Sequence, residues 1–268
     1  MKLNVLPAGA GAQWFKLGIG TFFKQPLALG ALFLLFLIIV SLAALIPQAG
    51  TIIALVLIPA LTVGLMAAAR EVESGKIPLP TILFIALRQG TAHTRAMIVL
   101  GLLYAAAIMA VIGISMLIDG GQFLSLASGS TDITTPEQLN TLALDPRSRI
   151  AMLVTLTLYL PVSVVFWHAP ALVHWHGITP VKSLFFSCVA VLKNTRPFLL
   201  YGLSWMGLSL GASMALVMLA MSTGSGTVLA VGVLPVSLLL GALFFTSVWF
   251  TFRDSFATDT PSAQQPAT

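Results

Sequence analysis

The chain has 268 residues, of which 58% are hydrophobic and 8% charged, and its mean hydropathy is +1.01. A water-soluble domain carries about a quarter charged residues, so a soluble globular fold is excluded and lipid must cover most of the surface. The net charge of +5 would suggest nucleic acid in a soluble protein, but here the basic residues stand at the ends of apolar runs, next to lipid headgroups. The single cysteine, Cys188, excludes an intrachain disulfide and a multi-cysteine metal cage. Composition therefore predicts a membrane protein with no nucleic-acid partner.

The first apolar run, residues 26–46, follows Lys2, Lys16 and Lys24. Basic residues before an apolar run are also typical of a secretory signal peptide, whose apolar region is only about 7–15 residues long. The run here is longer and matches the roughly 20 residues that an α-helix needs to cross the hydrocarbon layer. We therefore expect it to stay in place as the first membrane anchor.

Six segments of the chain are long and apolar enough to span a membrane as helices. They are residues 26–46, 50–69, 96–118, 150–173, 197–221 and 227–250. Short uncharged turns join the first two and the last two, which predicts two tight hairpins. A polar loop with four acidic residues, 119–149, separates the third and fourth, and the polar residues 255–268 predict a disordered tail. The prediction is an all-α polytopic protein with one transmembrane domain over residues 1–254.

The basic residues are divided unequally between the two predicted sides of the membrane. The side that holds both termini carries eleven, whereas the opposite side carries two, Arg147 and Arg149. The eleven are Lys2, Lys16, Lys24, Arg70, Lys76, Arg88, Arg95, Lys182, Lys193, Arg196 and Arg253. The positive-inside rule then places both termini and the tail in the cytoplasm. An even number of spans agrees, so we expect a multi-pass protein of the bacterial inner membrane with residues 119–149 in the periplasm.

Short semi-apolar segments precede three of the spans. Before the fifth span, the apolar residues recur at helical spacing: Val181, Leu184, Phe185, Cys188, Val189 and Leu192. A helix of about a dozen residues is too short to cross a membrane, and its apolar face predicts that it lies in the cytoplasmic interface. PTILFIALRQ from Pro80 and WFKLGIGTFFK from Trp14 have similar patterns. We predict lipid headgroup contacts at the neighbouring cations, Lys24, Arg88, Arg95, Lys193 and Arg196; the alternative is that these segments are loop helices packed on protein.

An internal repeat connects these segments. TRAMIVLGL at 94–102 aligns without gaps with TRPFLLYGL at 195–203, and a Pro-Ala-Leu triplet lies upstream of each, at 59–61 and 170–172. A weaker similarity, FFKQPLALG at 22–30, begins the first span. The pattern predicts three units, each an interfacial helix followed by a membrane hairpin. Coincidence on a leucine-rich background is the alternative.

Three of the four histidines fall in the stretch HAPALVHWHGITP, residues 168–180. On a helix, His174 and His176 point about 160° apart, and no pair has the i,i+4 spacing that places two imidazoles on one metal ion. The tryptophans around the cluster are typical of a membrane boundary. We therefore interpret His174 and His176 as headgroup-level residues and single out His168, because a polar group at greater depth needs a partner. A membrane metalloenzyme using all three histidines is the weaker alternative.

Four prolines lie inside or near the spans: Pro59, Pro161, Pro170 and Pro235. They break helices locally, and broken helices bind ions and substrates in some transporters. The spans contain almost none of the acidic and basic residues that ion coupling uses. A small-solute transporter or channel therefore stays an alternative. Gly207 and Gly211 form a GxxxG pattern in the fifth span, which predicts helix packing.

Long stretches of the chain resemble an uncharacterised family of proteobacterial inner-membrane proteins: MKLNVLPAGAGAQWFKLGIGTFFKQPLALGALFLLFLIIV, IPALTVGLMAAAREVESGKIPLPTILFIALRQG and FWHAPALVHWHGITPVKSLFFS. The resemblance covers the chain except for the loop after Asp119 and the tail, and it implies a six-span helical protein without implying an activity. A more distant similarity, carried by Phe23, Lys24 and Pro26, is to the membrane region of some glycerophosphodiester phosphodiesterases. This sequence lacks their hydrolase domain, so their catalysis is not implied.

These patterns together favour a non-enzymatic membrane protein that interacts with lipid or organises a partner. We predict no catalytic residue, metal site or cofactor. The expected partners are membrane lipids, anionic ones in particular, and a protein partner or a homo-oligomer stays open.

Overall fold

The computed structural model describes residues 2–128 and 145–256, and the regular structure in these ranges is helical throughout. Ten α-helices and one 3₁₀ helix follow one another along these two ranges. They are α1 (Ala10–Lys24), α2 (Pro26–Ala44), α3 (Gly50–Glu73), the 3₁₀ helix (Pro80–Leu87), α4 (Thr91–Asp119), α5 (Gln122–Ser128), α6 (Pro146–Phe166), α7 (Ala169–His176), α8 (Pro180–Lys193), α9 (Thr195–Thr223) and α10 (Gly226–Ser255).

Six helical segments in the described part of the chain are long and apolar enough to cross a membrane. They are α2, α3, α4, the α6–α7 pair, α9 and α10, and they match the six predicted spans in number and order. Helices α3 and α10 run a full turn past the predicted ends, to Glu73 and Ser255. The last turns of these two helices are polar, so the hydropathy pattern did not assign them to the spans. The predicted fold class, an all-α polytopic membrane protein, is confirmed.

The ends of the spans lie on two sides of the molecule. The main-chain N–H of Asn4 donates to the carbonyl of Ser255 at 3.0 Å, so the described N- and C-terminal ends meet. The side-chain amide of Gln25 donates to the carbonyl of Lys76 at 3.1 Å, which joins the start of α2 to the end of α3. We call this the terminal side. The distal side holds the α2–α3, α4–α6 and α9–α10 connections.

The fourth predicted span, 150–173, is a broken helix in the structure. Helix α6 ends at Phe166, and α7 begins three residues later with Pro170 in its first turn. Pro170 has no N–H to donate to the Phe166 carbonyl, and its ring collides with that carbonyl in a regular helix. A helix that continues without interruption from residue 150 to 173 is therefore not formed, because the break falls at His168.

A serine from another helix enters this break. The hydroxyl of Ser187, on α8, accepts a hydrogen bond from the His168 N–H at 2.9 Å and donates to the Val164 carbonyl at 3.1 Å. In a continuous helix these two main-chain groups would bond each other, four residues apart. Ser187 therefore replaces the missing backbone hydrogen bond, and it ties α8 to the α6–α7 junction.

Helix α1 is part of the protein core. It packs against α9 and α10, and its Trp14 is fully buried. Two glycines allow the close approach: a Cβ at Gly11 would lie 2.0 Å from the carbonyl oxygen of Pro197, and one at Gly18 would lie 2.2 Å from the Cβ of Ser247. The alternative prediction, a short helix packed on protein, therefore describes one face of α1 correctly.

Short helices do precede three membrane hairpins, as the repeat predicts. Helix α1 precedes α2–α3, the 3₁₀ helix precedes α4–α6, and α8 precedes α9–α10. The aligned stretches 94–102 and 195–203 both fall in the first turns of long helices, α4 and α9. The two Pro-Ala-Leu triplets differ, because Pro59 lies inside the continuous α3 whereas Pro170 starts a new helix.

The predicted loop begins with a short helix. Both side-chain oxygens of Asp119 accept main-chain hydrogen bonds at the start of α5, from Gly121 at 2.9 Å and Phe123 at 2.6 Å. At the other end of the chain, Phe256 is buried although it was placed in the predicted tail. The remaining parts of the predicted loop and tail, residues 129–144 and 257–268, lie outside the described residues.

Candidate functional site

Helix α8 buries its polar face and exposes its apolar one. Ser183 and Ser187 are fully buried against the protein. Large apolar side chains on the other face are exposed instead: Val181, Phe185 and Leu192. In water this arrangement would leave apolar surface uncovered, so the exposed face of α8 suits the acyl region of a membrane interface.

Cations surround this exposed apolar face. Lys182 and Lys193 lie on α8 itself, Arg196 begins α9, and all three side chains are exposed. Leu199, one turn further along α9, is also exposed. A long cationic side chain beside apolar surface can hold its charge at headgroup level while its stem lies along acyl chains.

Helix α1 has a smaller surface of the same kind. Its exposed side chains include Lys16, Leu17, Phe23 and Lys24. Lys24 is the last residue of α1, and the helix that follows begins with an exposed Pro26. One face of α1 therefore belongs to the core, and the opposite face carries lysines and apolar side chains together.

The start of α4 carries the third cationic surface. Arg88 and Arg95 are exposed and line an open cleft of about 510 Å³ together with Ile98 and Val99. Gly90 precedes the helix with a positive φ of 100°, and no side chain caps the first main-chain N–H groups of α4. The cleft therefore offers two guanidinium groups above an apolar wall.

All five cations predicted to contact headgroups are free of ion pairs with the described residues. Both salt bridges found in residues 2–128 and 145–256 involve Arg253, which binds Glu73 and Asp254. Lys24, Arg88, Arg95, Lys193 and Arg196 are exposed on the terminal side. Their contact with a bilayer stays a prediction.

Sequence reasoning missed a network of charged and aromatic side chains at the ends of α3 and α10. Glu73 binds Arg253 and accepts a hydrogen bond from the indole N–H of Trp249 at 2.7 Å. Asp254 binds Arg253 at 2.7 Å and accepts from the indole N–H of Trp14 at 2.9 Å. The network ties α1, α3 and α10 together on the terminal side. One sequence feature could have indicated it: acidic residues are rare in this chain, and two stand directly at span ends.

Asn194, between α8 and α9, holds the N-terminal segment in place. Its side-chain oxygen accepts from the Leu6 N–H at 2.8 Å, and its amide donates to the Asn4 and Ala190 carbonyls, both at 3.0 Å. Asn194 is fully buried. No periodic pattern identifies Asn194 in the sequence, because its partners Leu6 and Asn4 lie some 190 positions away.

His168, which the sequence singled out for its depth, is fully buried and has a partner. Its Nε2 lies 3.2 Å from the hydroxyl of Thr251 on α10. That hydroxyl donates to the Val248 carbonyl at 2.8 Å and accepts from the indole N–H of Trp167 at 3.1 Å. The remaining role for His168 Nε2 is that of a donor, so the ring is held as the Nε2–H tautomer.

The other nitrogen of His168 faces an aromatic pocket. The ring centroid lies 5.7 Å from that of Phe198, 6.0 Å from Phe252 and 5.3 Å from Phe256. Nδ1 has no hydrogen-bond partner in the described part of the protein. The histidine therefore joins α7 to α9 and α10 mainly through ring packing and one hydrogen bond.

The three histidines occupy different surroundings. The side-chain amide of Gln89 lies 3.3 Å from Nε2 of His174, and His176 packs near Phe252 with ring centroids 5.9 Å apart. His174 is buried, because α7 packs against α3 and α4. Its predicted position at headgroup level stays a prediction. Among the described residues, no group of three His, Cys, Asp or Glu side chains is placed to hold a metal ion.

The glycines of the GxxxG pattern face open space. A Cβ at Gly207 or Gly211 would meet no atom of the described chain within 4 Å. Within one copy of the protein, the pattern therefore brings no second helix into close contact. Packing against lipid or against another chain stays a prediction.

A curated protein of Burkholderia thailandensis resembles the chain along nearly its whole length. The two are 38% identical over 265 residues, covering 98% of this chain and 97% of that protein, whose name is "probable inner membrane protein". The chain belongs to the same family. This agrees with the six apolar helices and supports the inner membrane as the location of the protein. No family model and no solved structure matches the inner membrane protein described here.

Proposed function

We propose that this inner membrane protein is not an enzyme and that its terminal side binds anionic lipid headgroups. The observation that carries the proposal is the arrangement of α8, which buries its serines and exposes Val181, Phe185 and Leu192 beside cations. An exposed apolar face with unpaired cations at its edges matches the chemistry of an anionic phospholipid, whose phosphate and acyl chains lie side by side.

The proposed orientation follows from the same surface. The terminal side of the described chain carries the unpaired cations, and the distal side has Arg147 and Arg149 at the start of α6. The positive-inside rule then supports cytoplasmic termini. Anionic lipids attract basic surfaces at the cytoplasmic leaflet, so orientation and lipid binding have the same cause.

The alternative functions, a transporter or channel and a metalloenzyme, have less support. The cavity at mid-depth of the spans, described below, is lined by neutral side chains, whereas ion-coupled transport uses ionisable groups at that depth. A metalloenzyme that uses all three histidines would need them on one metal centre, and the rings of His168 and His174 have separate partners. The similarity of Phe23, Lys24 and Pro26 to the membrane region of glycerophosphodiester phosphodiesterases stays a prediction.

Charge reversal tests the proposal. Lys193→Glu combined with Arg196→Glu should reduce the retention of phosphatidylglycerol by at least about 30-fold, since each cation near an anionic surface contributes roughly 1 kcal/mol. Native mass spectrometry of protein released from membranes of defined composition measures the bound lipid directly. Phosphatidylcholine adducts should change little, because that headgroup has no net charge.

The matched control compares single reversals on the two sides. Arg196→Glu should weaken phosphatidylglycerol binding by several-fold, and Arg147→Glu, on the distal side, should leave it unchanged. Thermal unfolding in detergent checks that each variant is folded. Equal phosphatidylglycerol retention by wild type and the Lys193→Glu/Arg196→Glu double variant would overturn the proposal.

A further inference from the structure

A cavity lies at mid-depth among four of the spans. It has a volume of about 300 Å³ and is formed by α3, α4, the α6–α7 junction and α10. Thr62 and Tyr104, which line it, stand near the midpoints of α3 and α4. The cavity is therefore separate from the cationic surfaces at the helix ends. Ligand binding in the cavity does not depend on the proposed headgroup binding.

The lining of this cavity is aromatic and neutral. Six of its side chains are aromatic, and none of the lining residues is Asp, Glu, His, Lys or Arg. The ring of Tyr104 packs edge-on to that of Phe166 at 5.2 Å, and Trp167 packs edge-on to Phe244 at 6.0 Å. An aromatic lining without charged groups favours a flat, apolar ligand over a charged one.

Two phenol groups supply the polar chemistry of the cavity. The hydroxyls of Thr62 and Ser163 donate to carbonyls of their own helices, those of Ile58 and Leu160. Tyr104 and Tyr159 also line the cavity, and in the described part of the chain neither hydroxyl bonds a main-chain carbonyl.

A pair of phenols has two O–H donors, and at most one of them can be used within the pair. At least one donor is therefore left for an acceptor on a ligand.

The cavity opens where a membrane-soluble molecule could enter. Tyr159 is 46% exposed on the outer surface of α6 although it lines the cavity. Helix α6 packs against α4 and α8 and buries only Ser148 and Ala151 along its length. An opening at this depth faces the hydrocarbon layer, so a ligand would arrive from the bilayer and would have to be lipid-soluble.

We propose that this cavity binds the ring of a neutral, lipid-soluble carbonyl compound of the quinone class, with the Tyr104–Tyr159 pair donating a hydrogen bond to a ring carbonyl. The aromatic walls contact the two faces of the ring, and an apolar tail extends past Tyr159 into the bilayer. A quinone fits this lining because it has acceptors and no charge. The proposal concerns binding alone and assigns no electron transfer.

The test uses a short-tailed benzoquinone with the full-length protein in detergent. Quinones quench tryptophan fluorescence on contact, and Trp167 lines the cavity, so binding should appear as saturable quenching. Tyr104→Phe combined with Tyr159→Phe keeps both rings and removes both hydroxyls, and the double variant should weaken binding about five- to tenfold. Ser163→Phe places a ring inside the cavity and should abolish the saturable component.

Tyr201→Phe is the matched control, because Tyr201 bonds Ser247 outside this cavity. It should leave the quinone affinity unchanged. Size-exclusion profiles check the folding of each variant, and the Tyr104→Phe/Tyr159→Phe double variant keeps the test decisive if Ser163→Phe does not fold.

Non-saturable quenching, or saturable quenching that neither the Tyr104→Phe/Tyr159→Phe double variant nor Ser163→Phe alters, would overturn the proposal. Displacement of the quinone by an equal mole fraction of phospholipid would also overturn it, since the cavity would then be an acyl-chain site.

Discussion

In the last two spans, α9 and α10, the terminal and distal halves are packed very differently. In α10, all buried residues lie between Ala242 and Ser255, in the half of the helix next to the terminal side. Helix α9 buries Pro197, Tyr201 and Trp205 in its first turns and only Ala220 near its distal end. The terminal half has a continuous core of interlocked rings, and the distal half of these helices is covered by little protein.

This difference shows which parts of the chain need protein neighbours. A membrane helix satisfies its main-chain hydrogen bonds internally and can expose leucine and methionine to acyl chains without cost. The distal halves of α9 and α10 do so. The terminal half contains short helices, broken ends and polar side chains, whose groups need partners within the protein.

The largest effect should come from emptying the terminal core. Phe250 is fully buried, whereas Leu234, earlier on the same helix, is 66% exposed. Phe250→Ala should lower the free energy of unfolding by about 3–5 kcal/mol through lost packing and a cavity. Leu234→Ala should change it by less than about 0.5 kcal/mol. Thermal and denaturant unfolding in one detergent measure the change in stability of both variants. Equal losses of stability would contradict the difference in packing between the two halves.

The next largest change in stability is expected where α1 closely approaches α10. Gly18→Ala places a Cβ 2.2 Å from the Cβ of Ser247, so the helices must separate, at about 2–3 kcal/mol of stability. Gly20→Ala, on the open side of the same helix, should stabilise by up to about 1 kcal/mol through helix propensity. Melting temperatures of the two variants should move in opposite directions. A Gly18→Ala protein as stable as wild type would contradict the packing of α1 in the core.

The two glycines of the GxxxG pattern in α9 can be tested by the same kind of substitution. Gly207→Ala and Gly211→Ala meet open space within one copy of the protein and should each stabilise by up to about 1 kcal/mol. Unfolding in detergent measures the change. A loss of stability that depends on protein concentration would instead indicate that another copy packs against these glycines.

A loss of stability should also follow from Ser187→Ala at the break between α6 and α7. The variant leaves the His168 N–H and the Val164 carbonyl without their partner, at a cost of about 1–3 kcal/mol. Ser183→Ala is the control, because that hydroxyl bonds only its own helix at Pro180 in the described structure, and it should cost less than about 1 kcal/mol. Unfolding curves that are the same for both variants would show that Ser187 does not hold the break.

The smallest effect should come from the partly exposed charge network. Glu73→Gln removes the charge opposite Arg253 and should destabilise by roughly 1 kcal/mol, since solvent screens a pair whose side chains are about a third exposed. Glu71→Gln, two residues earlier and without an ion pair in the described chain, should have almost no effect. Added salt should reduce the difference between the two variants. A salt-independent difference would mean that the ion pair is not its cause.

Hydropathy alone predicted the number, order and approximate bounds of the spans. It succeeded because every span must supply about 20 apolar residues whatever its neighbours are. The segment before α9 was also predicted correctly as an amphipathic helix, since its apolar residues recur every three to four positions. The pattern did not show that the serine face would be the buried one.

The contacts that position the site could not be read from the sequence. Ser187 acts on a helix break that begins about twenty residues earlier, and Glu73 meets Arg253 across 180 positions. Periodicity describes one helix at a time, so it cannot pair side chains from distant helices.

We propose that the densely packed, cationic half of the protein faces the cytosol, where it binds anionic lipid. Two reporter fusions test it directly in whole cells. Green fluorescent protein at the C-terminus of the full chain should fluoresce, and alkaline phosphatase inserted between residues 129 and 144 should be active. An active phosphatase at the C-terminus together with an inactive one in the 129–144 segment would place the cationic half outside the cytosol and contradict the claim.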